Sequence, residues 1–451
     1  MLRKFGWGLV IILIGVLTLL GVSIAPIDDT ALDQFETIRS NADYLDIIKL
    51  ESVSGDGELK AGWSAVNITP HQPLYMAGYG RRGPYKNVAD SLFARTIVLD
   101  NGAKSVVIIS LDLLMFPRVL KSAIEERLIT LGYTKNEIFL SATHTHNGFG
   151  NWDKSIAGGF IFGEFDQDNM HYLTDKVIRS VEEAISRLSV VSTGFQKIDA
   201  HEHVQNRLAP KKGKTDPFLR IITLRKDEGQ KALIVSFSGH AVNLDADIWE
   251  LSRDYPGVIV GELEKEPGVE FAMFCAGMVA SHSIKSDLPK GHQRILTTGK
   301  SLSSKILELQ DSVNYSSNSD LSAIDIELHM PPSQLRLTQN LRLRDWVFAA
   351  LLGELTANIK AVGIGKVLMI GMPCDYSGEL SVNYALDQFA EINEKELFIT
   401  SFNGNYIGYI TEDAHYYSCD HDEVRSLNWV GPNKGGYFTE IIKDVIGKTQ
   451  E

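Results

Sequence analysis

Apolar residues in this chain fall into short continuous runs and longer stretches with helical spacing. The short runs predict strands, and the nearly continuous run SVVIISL at 105–111 is typical of a strand buried on both faces, because a half-exposed strand would alternate apolar and polar residues. These runs cover 60–70, 93–99, 105–111, 137–142, 219–224, 232–237, 271–275, 366–370 and 397–402. Helical spacing covers 118–131, 169–188, 252–264, 292–309 and the tail from residue 434. We therefore predict an α/β fold with a mixed sheet core and helices on its faces.

Several of the predicted strands end in short turns that carry polar side chains. The residues in these turns are His144 and His146, His240, Ser281 with His282, and Asp375. Loops at one edge of a sheet can bring such side chains together, so we expect the active-site loops at the strand ends. Two imidazoles, a carboxylate and one more oxygen ligand would make a catalytic zinc site with an open position. This mixture suits zinc better than calcium or magnesium, which prefer ligand shells made entirely of oxygen.

The pair His144 and His146 is the most informative of these turns. Two residues that are two positions apart on an extended segment point to the same face. Gly148 and Gly150 allow the backbone to turn away directly afterwards. The pair alone leaves open whether the histidines bind a metal or are hydrogen-bonded structural residues.

The N-terminus predicts a membrane segment. Arg3 and Lys4 precede 21 residues, 5–25, without a charged side chain, and a helix of that length can span the hydrocarbon core of a bilayer. We predict a signal anchor with a single transmembrane helix over residues 1–26, which places the body on the extracytoplasmic side, periplasmic or extracellular. A cleaved signal peptide and a secreted body are the alternative. Residues 27–58 are predicted as a membrane-proximal helical segment and residues 59–451 as the globular domain.

Composition narrows the function classes. The chain has 451 residues and a formal net charge of −13, which argues against a nucleic-acid partner, since phosphates require a basic surface. The three cysteines, Cys275, Cys374 and Cys419, form no CxxC pair, which argues against a structural zinc ribbon. We expect buried thiols, with a disulfide between two of them left open. The oligomeric state is not indicated.

Five short motifs, in the same order along the chain, resemble those of the neutral/alkaline non-lysosomal ceramidase family. They are AGWSAVNITP at 61–70, MAGYG at 76–80, LFAR at 92–95, SLD at 110–112 and SATHTHNGFG at 141–150. The resemblance extends over roughly residues 60–435 and corresponds to the catalytic domain of that family. The longer members continue into an immunoglobulin-like C-terminal domain, which we expect to be missing here.

The resemblance implies a role for each matching residue. The implied zinc ligands are His144, His240, Asp375 (in MPCD) and Tyr409 (in GYIT), and the implied catalytic residues are His146, Arg207 and Ser281. Asp375 stands where the family has glutamate, so its backbone must come closer to the metal. Ser281 matches the family's serine only if one residue is inserted in GMVAS; without a gap Ala280 takes that place, and a further register uses Ser283.

These observations predict a zinc-dependent amidase that cleaves a ceramide-like N-acyl lipid into a fatty acid and a sphingoid base. Zinc would activate a water and polarise the amide carbonyl, and His146 and Arg207 would stabilise the oxyanion. Asp375 could also accept a proton if its second oxygen stays free. Whether Ser281 or the water is the nucleophile stays open. The alternatives are a hydrolase of another acylated amine or ester, and a membrane-anchored, non-catalytic lipid-binding protein on the same fold.

Overall fold

The computed structural model describes residue 15 and residues 18–55 and 57–448 of the chain. Strands and helices are numbered here in chain order. The strands are β1 (Ile24–Pro26), β2 (Lys60–Asn67), β3 (Asn87–Val88), β4 (Phe93–Asp100), β5 (Ser105–Leu111), β6 (Ile138–Ala142), β7 (Ser189–Asp199), β8 (Val204–Asn206), β9 (Phe218–Lys226), β10 (Lys231–Phe237), β11 (Glu250–Leu251), β12 (Val269–Ala276), β13 (His282–Ile284), β14 (Tyr315–Ser316), β15 (Leu321–Leu328), β16 (Leu341–Leu343), β17 (Ala357–Ile364), β18 (Val367–Gly371), β19 (Asp375–Tyr376), β20 (Glu396–Thr400) and β21 (Tyr409–Ile410). The helices are α1 (Glu36–Ile47), α2 (Arg118–Thr130), α3 (Ile156–Phe162), α4 (Gln167–Ile185), α5 (Asp254–Leu263), α6 (His292–Glu308), α7 (Asp345–Leu352), α8 (Gly378–Asn383), α9 (Leu386–Ile392) and α10 (Lys434–Gly447).

The larger sheet has nine strands. Eight of them follow the order β12-β10-β9-β7-β2-β4-β5-β6, and β14 pairs with β7 outside this path. The pairs β10–β12 and β5–β6 are parallel and the remaining pairs are antiparallel. The sheet is therefore mixed, as the sequence predicts.

A second sheet, in the order β15-β17-β18-β20, packs against one face of the larger sheet. The side chains of β5 show why both of its faces are buried. Val106 and Ile108 lie in a core shared with Met369 of the second sheet, whereas Val107 and Ile109 lie in a core shared with α2 and α4. Successive strand residues point to opposite faces, so a continuous apolar run fits between two covering layers. Helices α5 and α6 cover the rest of the larger sheet, and α8 to α10 cover the second sheet.

The two ends of the larger sheet approach each other. The Ser110 hydroxyl of β5 donates to the Phe274 carbonyl of β12 at 2.6 Å, and the Arg95 guanidinium of β4 donates to the Ala272 carbonyl of β12 at 2.7 Å. The order of strands places β12 far from β4 and β5, so the sheet must curl to bring them together. This curl brings the turn after β6 close to the turn after β10, and these turns carry the three candidate histidines.

The predicted transmembrane helix over residues 1–26, and the membrane-anchored location inferred from it, are corrected by the structure. Within the described ranges, no helix has the length and apolar character needed to cross a bilayer. Residues 24–26 form β1, which pairs with β16, and the Trp346 indole donates to the Val22 carbonyl at 2.9 Å. The backbone of this segment is thus bonded to the globular body. Residues 1–14, 16 and 17, where most of that prediction falls, lie outside the described residues.

The segment predicted as membrane-proximal contains α1, which packs on the body. The Asn41 amide group donates to the His329 carbonyl and accepts from the His329 N–H, each at 2.8 Å. All three cysteines are free; Cys275 and Cys374 are buried and Cys419 is half-buried. The disulfide that the sequence left open is therefore absent.

Candidate metal centre and substrate cavity

Three imidazoles meet at the turns after β6 and β10. The Nε2 atom of His240 lies 2.8 Å from that of His144 and 2.9 Å from that of His146, and the Nε2 atoms of His144 and His146 are 3.2 Å apart. All three side chains are buried. Their nitrogens therefore face one common point, and these residues form a group that could hold a metal ion.

The convergence of His144 and His146 does not come from an extended strand. Strand β6 ends at Ala142, and His144 has a backbone φ of +61°, in the left-handed region that residues other than glycine rarely adopt. Strained backbone of this kind persists where the surrounding structure fixes it, commonly at functional sites. The turn, not strand alternation, aims the two rings at the same point.

Two of the imidazoles are oriented by main-chain carbonyls. His144 Nδ1 lies 2.6 Å from the Leu114 carbonyl, and His240 Nδ1 lies 3.3 Å from the Val279 carbonyl and 3.2 Å from an Arg207 amino group. A histidine that donates from Nδ1 to a carbonyl presents the lone pair of Nε2 to a metal. His146 Nδ1 lies beside the backbone of Gly78 but makes no hydrogen bond of standard geometry within the described part of the chain.

Burial keeps these rings neutral. Removal from solvent lowers the pKa of His144 to about 3, and it lowers the pKa values of His146 and His240 well below the usual imidazole range. The positive charge of Arg207 acts in the same direction on all three. Neutral imidazole is the form that binds metals.

Asp375 adds a carboxylate to the group. Its Oδ1 lies 3.4 Å from His144 Nε2 and has no hydrogen-bond partner among the described residues. Its Oδ2 accepts a 2.7 Å hydrogen bond from the Tyr406 hydroxyl. Burial raises the pKa of Asp375 to about 7, and this rise is opposed by the Tyr406 hydrogen bond and by the positive charge of Arg207.

The donor set fits a divalent cation of the zinc type. Ligand atoms about 2.0–2.1 Å from a tetrahedral metal lie roughly 3.3 Å from one another, which is close to the spacings observed here. Three neutral nitrogens and an unpartnered carboxylate oxygen, all buried, are costly to leave without a partner. A bound cation would satisfy the Asp375 oxygen and those imidazole nitrogens that bind it.

Tyr409 and Arg207 complete the surroundings of the cluster. Tyr409 is paired with Asp375 across β19 and β21, and its ring stacks nearly parallel to the His240 ring, with centroids 6.4 Å apart. Arg207 donates to the Ala280 carbonyl at 3.0 and 3.2 Å and forms a 2.6 Å ion pair with Glu423. Its guanidinium is thus held in place beside His240.

Ser281 lies in a different hydrogen-bond network. Its hydroxyl accepts from Ser377 at 2.6 Å and lies 2.7 Å from His282 Nδ1, while His282 Nε2 accepts from the Asp216 N–H. A neutral His282 that accepts at Nε2 must carry its proton on Nδ1 and donate it to Ser281. The imidazole therefore does not act as a base toward this hydroxyl, and Ser281 does not line the cavity described below.

A cavity of about 740 Å³ opens onto the histidines. Part of its lining is apolar, and part is charged. The apolar lining includes Leu114, Trp152, Phe162, Leu352 and Trp429, and the charged lining includes Arg118, Arg207, Asp422 and Glu423. A larger cavity of about 870 Å³ elsewhere contains none of the predicted site residues. The first cavity can therefore accept a molecule with both apolar and polar parts.

Sequence patterns did not indicate Tyr406, Phe402 or Glu423 as parts of the site. Phe402 stacks on the His144 ring with centroids 4.2 Å apart, and Tyr406 and Glu423 bond Asp375 and Arg207. Tyr406 lies only three residues before the candidate ligand Tyr409, and this closeness in sequence could have indicated that Tyr406 belongs to the site. Glu423 follows no recognisable strand, so nothing local indicates its role.

The sequence and the fold of this chain are both similar to those of known proteins. Residues 60–283 match the model of the neutral/alkaline non-lysosomal ceramidase N-terminal domain. The fold is similar to the crystal structure of neutral ceramidase from Pseudomonas aeruginosa, with a TM-score of 0.73 and 16% identity over 87% of this chain and 75% of that chain. A structure of a ceramidase complexed with C2 gives a TM-score of 0.70 and 15% identity with the same coverage. At these identities, the two structures support the fold.

Proposed function

The chain belongs to the neutral/alkaline non-lysosomal ceramidase family and is an amide hydrolase of that class, and from this premise we propose that it is a zinc enzyme that cleaves a ceramide-like N-acyl lipid into a fatty acid and a sphingoid base. The observation that carries the proposal is the meeting of three neutral imidazoles and one unpartnered carboxylate oxygen beside a partly apolar cavity. The mixed lining suits a substrate with an acyl chain on one side of the amide and a polar headgroup on the other.

We assign His144, His240, Asp375 and Tyr409 as the residues that hold the zinc ion. The Leu114 carbonyl favours His144 as a ligand, because ligating histidines commonly donate their other ring nitrogen to a carbonyl or carboxylate, and the Val279 carbonyl, 3.3 Å from His240 Nδ1, can serve His240 in the same way. When bound, zinc lowers the pKa of a coordinated water toward about 7 and polarises a carbonyl.

His146 is assigned to the substrate. His146 lines the cavity, and its Nδ1 makes no carbonyl hydrogen bond of the kind that orients His144, so we place this ring beside the substrate carbonyl, where it would stabilise the oxyanion. Asp375 is less suited to proton transfer, since Oδ2 holds the Tyr406 hydroxyl while Oδ1 faces the cluster. Arg207, fixed by Ala280 and Glu423, places a positive charge where the oxyanion of the tetrahedral intermediate develops.

Water, rather than Ser281, is the nucleophile in this proposal. The Ser281 hydroxyl receives hydrogen bonds from its neighbours and has no base to remove its proton. Its buried position supports a structural role.

Metal content and fatty-acid release test the proposal. The purified full-length chain should contain one zinc ion per molecule by elemental analysis and should release fatty acid from a short-chain ceramide. A chelator should abolish this activity and added zinc should restore it. Protein without zinc, or activity that persists after complete removal of metal, would contradict the proposal.

Three histidine variants separate ligands from the substrate-facing residue. His144→Ala and His240→Ala should lose both zinc and activity, whereas His146→Ala should keep zinc and lose activity. His171→Ala, in an exposed histidine of α4 whose one hydrogen bond among the described residues is to Gln167, is the matched control. A panel of N-acyl amines and esters with other headgroups then tests whether the ceramide-like substrate is preferred.

A further inference from the structure

The loop at residues 401–408, which follows β20, supports the candidate metal centre through two aromatic side chains. Phe402, at a backbone φ of +68°, stacks on the His144 ring at an interplanar angle of 14°. Tyr406 stacks on Phe402, with centroids 6.3 Å apart, and meets the Trp429 ring edge-on at 5.2 Å. The Tyr406 ring is therefore held between two aromatic neighbours.

The backbone of this loop is fastened to the strands that carry the centre. The Ser401 N–H donates to the Ala276 carbonyl at 2.9 Å, and the Ile407 N–H donates to the Pro373 carbonyl at 2.9 Å. The Asn403 side chain donates to the Gly371 carbonyl at 2.9 Å. These bonds fix the loop against the segment that ends in Asp375, so the position of the Tyr406 hydroxyl is set by the fold.

The two oxygens of Asp375 differ in their surroundings. Oδ2 accepts the Tyr406 hydrogen bond at 2.7 Å, whereas Oδ1 points toward His144 and has no partner within the described ranges. A carboxylate can bind a metal through one oxygen or both. Because a fixed hydroxyl engages Oδ2, Oδ1 is the oxygen of this carboxylate that is oriented toward the histidines.

We propose that Tyr406 is a positioning residue that restricts Asp375 to binding the metal through one oxygen and aims that oxygen at the histidine cluster. The inference rests on the proposed function, because it requires a metal at this site. A carboxylate that could rotate would offer its second oxygen to the position that the reaction needs open. Partners of this kind change metal affinity by roughly 10- to 100-fold when they are removed.

The test compares Tyr406→Phe with Tyr376→Phe. Both changes delete a buried tyrosine hydroxyl and keep the ring, but the Tyr376 hydroxyl bonds Thr439 at 2.7 Å and not the Asp375 side chain. The zinc affinity of each full-length protein is measured by competition with a chromophoric chelator, and the shift in melting temperature on zinc addition provides a second measurement. We expect zinc affinity to fall about 10-fold or more in Tyr406→Phe and to stay near the wild-type value in Tyr376→Phe.

A double-mutant cycle shows whether the effect acts through Asp375. In an Asp375→Asn background, Tyr406→Phe should weaken zinc binding no further. Equal zinc affinity in wild type and Tyr406→Phe, an equal loss in Tyr376→Phe, or a full effect in the Asp375→Asn background would each overturn the inference. If the wild-type chain binds no zinc, the proposed function itself fails and this inference fails with it.

Discussion

The turn Gly78-Tyr79-Gly80 offers a direct test of how closely the backbone must approach the histidines. Both glycines have positive φ, +123° at Gly78 and +68° at Gly80. A Cβ added at Gly78 would lie 2.6 Å from the Cα and carbonyl oxygen of His146, whereas one added at Gly80 would meet no atom within 4 Å. Both positions are strained for a side chain, but Gly80 lies in the left-handed helical region, whereas Gly78 lies outside it and also meets the clash with His146.

The magnitudes follow from this difference. An alanine in the left-handed region costs about 1 to 2 kcal/mol, which is the whole penalty expected for Gly80→Ala. Gly78→Ala adds displacement of the His146 backbone, which Arg82 and the Ala241 carbonyl hold in place. Overpacking adds about 1 to 3 kcal/mol, and a misplacement of about 1 Å near the chemistry costs on the order of 100-fold in rate.

Urea unfolding and kcat/KM on a short-chain ceramide measure both effects. Gly80→Ala should lower the free energy of unfolding slightly and keep most of the activity. Gly78→Ala should lose clearly more stability and about 10- to 100-fold in kcat/KM. If the two variants lose equal stability and equal activity, the close approach of Gly78 to His146 does not constrain the site, and the reasoning is wrong.

Three further substitutions test other parts of the structure. Ser281→Ala should lower the free energy of unfolding by about 1 to 2 kcal/mol but leave kcat unchanged, and a large loss of kcat would restore this serine as the candidate nucleophile. Burial raises the pKa of Asp112 to about 6, so its ionisation lowers the stability of the wild type as pH rises from about 4 to 6. Asp112→Asn does not ionise, so its free energy of unfolding relative to that of the wild type should rise by up to about 3 kcal/mol between pH 4 and 7, as measured by urea unfolding. Lys360→Met leaves buried Asp325, bonded to Lys360 at 2.9 Å, without its cation and should cost about 3 to 5 kcal/mol, whereas Lys366→Met, at an exposed position, should cost little in the same assay.

The strand and helix elements were partly predictable because they depend on local patterns. The apolar run at 105–111 became β5, and the helical stretch at 118–131 became α2. The existence of a second sheet was not predicted, since a run buried on both faces does not reveal whether a helix or another sheet covers each face. Strands β15 and β17 were missed, although residues 321–328 alternate apolar and polar positions over part of their length.

The candidate site was predictable at positions where a residue type that binds metals, histidine or aspartate, closely follows a predicted strand. His144, His240 and Asp375 follow strands and meet as expected. The prediction for His146 as a substrate-facing residue stays a prediction, because its Nε2 lies as close to the cluster as the other two. The supporting residues escaped detection because their partners are distant in sequence: Tyr406 is 31 residues from Asp375.

Some candidate ligands are oriented by main-chain groups and others by side chains, and this difference determines which substitutions can disturb the centre. His144 and His240 are oriented by the carbonyls of Leu114 and Val279, and a side-chain substitution leaves a main-chain carbonyl in place. These carbonyl contacts can be displaced only by moving the backbone, although His144 also stacks on Phe402 and His240 also contacts Arg207. The Asp375 carboxylate is oriented by the Tyr406 hydroxyl, which a single substitution removes. A single substitution can therefore remove the hydrogen bond that orients the Asp375 carboxylate, whereas the carbonyl contacts of His144 and His240 are kept by the fold.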